Sequence, residues 1–187
     1  ADLSITSITK RDLPHYYKTT LSLYVGALVL VAPELSISCD NYFGGEQVAE
    51  FLVAKKRTQC AFIGDASEHS PEFFARFNGF KDTLNKHGLD VDARQIINAI
   101  STDESGYNAT KTLLSLKRPI NAIFAASDLI AIGAIRAIKE AGLNVPEDIS
   151  VIGFDDIPVA SFTEPALTTV NQSTSVAGEM LVANLLA

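Results

Sequence analysis

Val145-Pro-Glu-Asp-Ile-Ser-Val-Ile-Gly-Phe-Asp-Asp156 is a greasy, β-branched run that stops at two adjacent carboxylates. An apolar run this short, residues 149–154, predicts a strand buried on both faces, as the strands of parallel sheets are. Asp155 and Asp156 would then stand at the carboxyl edge of the sheet. Open α/β sheets bind ligands there, in the crevice just beyond the strand ends. The pair reads equally well as a strand stop followed by a turn, which Asp performs in any fold. Spacing alone does not separate the two.

On either side of this run, strand-like segments alternate with helical periodicity. Strands are expected at residues 35–39, 59–63, about 95–99 and 122–126, and helices at 45–56, about 71–87, about 104–116 and 129–141. Gly142 falls where a helix stop calls for a residue free to turn left-handed. Asp128 reads as the N-cap of the last helix, its carboxylate accepting from first-turn amides. Strict alternation predicts an α/β fold with parallel sheets and right-handed crossovers. One junction breaks the pattern, because residues 25–32 and 35–39 both read as strands with only Pro33 and Glu34 between them. Parallel neighbours need a crossover of about a dozen residues or more, and Pro-Glu is poor chemistry for a two-residue hairpin. The expectation is that residues are missing between Pro33 and Leu35.

Composition narrows the classes of function. A chain of 187 residues with 47% hydrophobic content can bury one good core or two small ones. Its net charge of -7, with Lys55-Lys56-Arg57 as the one short basic cluster, excludes a nucleic-acid surface built on this chain. The cluster sits where a helix should be ending and suits its dipole. Cys39 and Cys60 are isolated and read as reduced core thiols. No apolar run reaches the length of a membrane span, and Ala1-Asp-Leu-Ser opens no signal peptide. His15, His69 and His87 lack metal-ligand spacing, so neither metal nor cofactor is expected. Gly44-Gly45 lacks the rest of a phosphate-binding motif and reads as a tight turn. No nucleophile signature appears, and catalysis is not expected.

Five segments carry a family resemblance by their order: Asp40-Asn-Tyr-Phe-Gly-Gly45, Arg76-Phe-Asn-Gly-Phe80, Ala126-Ser-Asp-Leu-Ile-Ala-Ile-Gly-Ala134, residues 145–156, and Pro165-Ala-Leu-Thr-Thr-Val-Asn-Gln172. Together they resemble the LacI/GalR family of bacterial transcriptional regulators over most of residues 36–187. The resemblance implies a periplasmic-binding-protein-like core of two parallel-sheet subdomains, joined by hinge strands and closing on a small effector, most often a sugar or nucleobase. It implies cytoplasmic residence, a homodimer, and operator binding through an N-terminal helix-turn-helix domain that these residues do not include. Residues 1–39 and 172–187 would form an incomplete N-terminal subdomain, and residues 40–171 the C-terminal one. Relative to the family, the first strand and helix of that N-terminal subdomain and the chain after Ala187 would also be missing. A periplasmic sugar-binding protein of a transport system shares this core and is the rival reading, although the VPEDIS segment is typical of regulators.

Residue by residue, the resemblance implies that Asp155 accepts hydrogen bonds from effector hydroxyls and that Arg76 clamps the effector with its planar fork. The two are expected to face one another across a polar cleft, with Asp156 capping the turn. Without the family, Arg76 would read as an exposed helix residue. Ser127 matches a polar position at a strand end and is a weaker contact. Ser101 departs from the aromatic that several relatives use for stacking, which argues against an effector that needs a stack. Ser70 and Glu72 could point into the cleft; a helix N-cap and a first-turn acid explain them equally well. In the family the loop after the acid pair lies at the dimer interface with the helix that starts at Leu129, which points to Val159, Phe162 and Leu129 as interface residues.

Overall fold

In a computed structural model of the chain, strand and helix alternate along the sequence. The structure describes residues 36–173, together with 3–5, 8–9, 24–25, 175–179 and 182. Its strands are β1 (Leu3–Ile5), β2 (Ile8–Thr9), β3 (Tyr24–Val25), β4 (Ser36–Cys39), β5 (Cys60–Ile63), β6 (Ile96–Ile97), β7 (Ala122–Ala125), β8 (Ser150–Asp155) and β9 (Thr168–Gln172). Its helices are α1 (Asn41–Ala54), α2 (Pro71–Lys86), α3 (Asp103–Ser115) and α4 (Asp128–Glu140). The chain divides into two units, one of Ala1–Leu3 with Asn41–Asn171 and one of Ser4–Asp40 with Gln172–Ala187.

In the second unit β4 lies between β2, antiparallel to it, and β3, parallel to it. The junction at Pro33 and Glu34, where residues are expected to be missing, lies outside the described residues. Residues 175–179 and 182 are helical.

The first unit is a parallel sheet in the order β9-β8-β7-β5-β6. Chain order and spatial order part company at β5. From there the chain steps to β6 on one side, then crosses back to β7, β8 and β9 on the other. Right-handed crossovers therefore place α2 on one face and α3 and α4 on the opposite one. The crevice between the carboxyl ends of β5 and β7 is the topological switch point.

All four residues of β5 and all four of β7 are buried, as a central parallel strand requires. Phe62 packs against Phe77 and Phe124 at ring-centroid distances of 5.0 and 5.5 Å, and Phe80 and Phe154 extend the cluster through Phe124. Cys60 is buried and free, and burial pushes its thiol up to about 11.

Each helix pair crosses at reciprocal glycines. A Cβ on Gly45 would stand 2.0 Å from the Arg76 carbonyl oxygen, and one on Gly79 would stand 1.9 Å from that of Tyr42. Gly106 and Gly133 do the same for α3 and α4, against Ile130 O and Asp103 O. This corrects the reading of Gly44-Gly45 as a turn, because both lie inside α1, which starts at Asn41 rather than at residue 45. A helical glycine costs about 1 kcal/mol against alanine, and here close backbone packing outweighs local preference. The expected strand at 95–99 shrinks to Ile96–Ile97, preceded by a 3-10 turn at Ala93–Gln95. Gly142 does close α4 in the left-handed region, at φ 77.

Candidate functional site

The carboxyl edge of the sheet collects the polar side chains, and Arg76 is at its centre. Arg76 is 5% exposed, far from the surface position that helical periodicity alone suggests. Close packing at Gly45 presses its turn of α2 against the start of α1. There Nε donates to Asn41 Oδ1 at 2.8 Å. Its Nη1 donates to the carbonyl of Ala126 at the end of β7, 2.6 Å away. The guanidinium also lies over the Phe154 ring, 3.7 Å from its centroid, a favourable cation–π arrangement. A planar, always-charged group held on several sides keeps a fixed direction.

Asp155 ends β8 beside it, its Oδ1 3.4 Å from Arg76 Nη1. The two are thus in direct contact within one unit rather than facing each other across an open gap. The Asp155 side chain remains 31% exposed while that of Arg76 is 6% exposed, so the carboxylate is the member of the pair that meets solvent. Asp155 and Asp156 take φ values of 114° and 56°, backbone that L-residues adopt only where the surroundings hold it. Asp156 accepts from Asn171 Nδ2 on β9.

Ser101 and Ser127 come together, their hydroxyl oxygens 2.7 Å apart. Ser127 also accepts from Ile130 N, which makes it the N-cap of α4. This corrects the assignment of that role to Asp128, which is instead the first helical residue and is fully buried. Ser70 does occupy the N-cap position of α2 without capping it. Its hydroxyl donates to Asp65 Oδ2 at 2.8 Å, and Ser67 donates to Asp65 Oδ1 at 2.6 Å. These hydroxyls hold Asp65 below the usual carboxylate range. Glu72 lies half-buried in the first turn of α2.

Sequence reasoning missed Asn41, Asp65, Phe154 and the buried role of Asp128. One signal for the last was available. Gly153 interrupts a buried strand, which marks close approach of another group, and a Cβ there would stand 2.2 Å from Asp128 Oδ1. Leu129, Val159 and Phe162 are 39%, 46% and 84% exposed, the first on α4 and the others on a 3-10 turn, Pro158–Phe162. Among the described residues no cluster of three or more His, Cys, Asp or Glu could hold a metal ion. None of the helices described is long and apolar enough to cross a membrane.

The pinned arginine and the strained acid thus stand together at the carboxyl ends of β7 and β8, the edge at which open α/β sheets bind ligands. The family model described as a periplasmic binding protein-like domain matches residues 49–187. The HTH-type transcriptional regulator AscG of Escherichia coli (strain K12) is 37% identical over 135 residues, covering 72% of this chain and 40% of that protein. Among solved structures, a sugar-binding transcriptional regulator of the LacI family from Escherichia coli, complexed with phosphate, superposes with a TM-score of 0.76. It is 34% identical and covers 81% of this chain and 54% of its own. The complex of the transcriptional regulator CelR with cellobiose has a TM-score of 0.74 and 33% identity, covering 79% of this chain and 45% of its own. The chain belongs to the LacI/GalR family, as an effector-binding core of the periplasmic binding protein-like type. It spans about half the length, or less, of the relatives it matches.

Proposed function

We propose that this chain is the effector-sensing part of a cytoplasmic transcriptional repressor that binds a sugar or sugar derivative and is not an enzyme. The observation that carries the reading is Arg76, pinned at the carboxyl edge of the sheet with Asp155 beside it. A polyol hydroxyl can accept from a guanidinium and donate to a carboxylate, and such charge-assisted bonds are stronger than neutral ones. The likeness to the CelR complex with cellobiose supports a sugar over other effectors. Ser101 and Ser127 offer paired hydroxyls just ahead of α3 and α4, and Ser70 and Glu72 flank the start of α2 as outer contacts. Residues 40–171 act as the C-terminal subdomain, and residues 1–39 with 172–187 belong to the N-terminal one. Exposed Val159, Phe162 and Leu129 supply an apolar surface for a homodimer. Operator DNA is met by a helix-turn-helix domain outside these residues, and effector affinity that differs between two states changes operator affinity.

Calorimetric titration with a panel of sugars and sugar phosphates tests the reading. A binder should emerge, and Asp155→Asn should weaken it roughly ten- to a hundredfold, as loss of one charge-assisted bond predicts. Unchanged affinity in that variant overturns the site.

A further inference from the structure

Asp128 opens α4 and is fully buried, a position that suits a carboxylate only when its oxygens are matched. Its Oδ2 accepts from the Ile157 amide at 2.8 Å, and its Oδ1 accepts from the Thr169 hydroxyl on β9. The Thr169 oxygen in turn accepts from the Asp156 amide at 3.4 Å. The two amides that follow Asp155 therefore converge on one carboxylate, one directly and the other through a hydroxyl.

These are the amides of the turn in which Asp155 and Asp156 hold φ values of 114° and 56°. Backbone of this kind persists only where its surroundings over-determine it. Gly153 completes the arrangement, since a Cβ at that position would stand 2.2 Å from Asp128 Oδ1. The glycine in mid-strand is what lets the carboxylate lie across β8.

We infer that Asp128 is a positioning residue, which holds the Asp155–Asp156 turn in its positive-φ form and so aims the Asp155 carboxylate beside Arg76. The inference deepens, and rests on, the assignment of Asp155 as the effector acid. The charges acting on Asp128 are the carboxylates of Asp155 and Asp156, and Asp155 is itself paired with Arg76. A neutral isostere can therefore replace it. The Asn carbonyl can accept from Ile157 while its amide donates to Thr169.

Solution NMR of the 187-residue chain without any added sugar tests this, reading φ at Asp155 and Asp156 from amide–Hα couplings and carbon shifts. Asp128→Ala should move both residues to negative φ while the remaining strand signals keep their positions. Asp128→Asn should restore the parent values. A merely structural role would lower the melting temperature and leave the turn's φ values unchanged in the folded protein. A folded Asp128→Ala protein with both positive φ values intact overturns the inference. Where Asp128→Ala does not fold, Thr169→Val carries the test: it should shift Asp156 and spare Ile157, and an unmoved Asp156 overturns the relay. Because no sugar is needed, a sugar panel without a binder would count against the effector assignment and leave this result standing.

Discussion

The two edges of the parallel sheet each hold an arginine and each hold positive-φ residues, yet they use them differently. At the amino edge, Arg57 donates to the carbonyls of Pro146 and Glu147 in an exposed setting. The positive-φ residues there, Lys56, Gly88, Lys117 and Gly142, all follow helix ends. Three of them lie inside the six-to-one hydrogen bonds that close a helix, Arg57 N to Leu52 O, Leu89 N to Leu84 O and Leu143 N to Ile138 O. At the carboxyl edge, Arg76 is buried, and the positive-φ pair Asp155–Asp156 lies at the end of a strand and closes no helix. Local helix closure thus accounts for three of the four at the first edge. The second holds an unfavourable backbone and a buried charge that no rule of helix closure explains, a combination that clusters at binding sites.

The sharpest way to break this contrast is Arg76→Ala. It leaves Asp155, Asn41 and the Ala126 carbonyl without their cation; removing one member of a fully buried ion pair costs about 3 to 5 kcal/mol, and the partial exposure of Asp155 puts this pair at the lower end of that range. Urea unfolding should show a loss of that order. Binding tests are therefore better made on Asp155→Asn, since the arginine that points the carboxylate also holds the fold.

Asp128 gives the next effect, and it depends on pH. Burial, with smaller contributions from the charges of Asp155 and Asp156, pushes its carboxyl up from 3.8 to about 6. Below the unfolded value both states are protonated. Between the two values the folded state binds the extra proton, so stability falls as pH rises toward about 6 and levels off above it. Unfolding measured at steps from acid to neutral pH should show the parent losing stability relative to Asp128→Asn across that window. A flat difference would mean that the carboxylate is better solvated than its burial implies.

At the amino edge the effects should be smaller and local. Gly142→Ala places a side chain at φ 77 and should lower stability by about 1 to 2 kcal/mol, measured by thermal or urea unfolding. Arg57→Ala removes exposed hydrogen bonds and should cost about 1 kcal/mol or less in the same assay. If Arg57→Ala matched Arg76→Ala, the distinction between the two edges would fail.

Much of the edge was legible in the sequence. The acid pair at the end of a buried run appears as a strand end, Gly142 as a helix stop, and Arg76 is singled out by its motif. What periodicity misplaced lies wherever two segments distant in the chain come into contact. Gly44 and Gly45 look like a turn because their intrinsic helix preference is poor, and they are helical because α2 packs against the Gly45 backbone. Asp128 looks like a cap because Asp is a good one, yet Ser127 caps and Asp128 turns inward to Thr169 and Ile157.

By itself the sequence determined the alternation of strands and helices, the parallel sheet and the carboxyl edge at which the acids stand, because short apolar runs and helix periodicity are local properties. Tertiary structure alone decided that Arg76 is buried and stacked on Phe154, that Ser101 meets Ser127, and that Asp128 gathers the amides after Asp155. Those contacts join residues up to 78 positions apart, Arg76 and Phe154 being the farthest. Their partners are selected by the order of strands in the sheet, which no single stretch of sequence encodes.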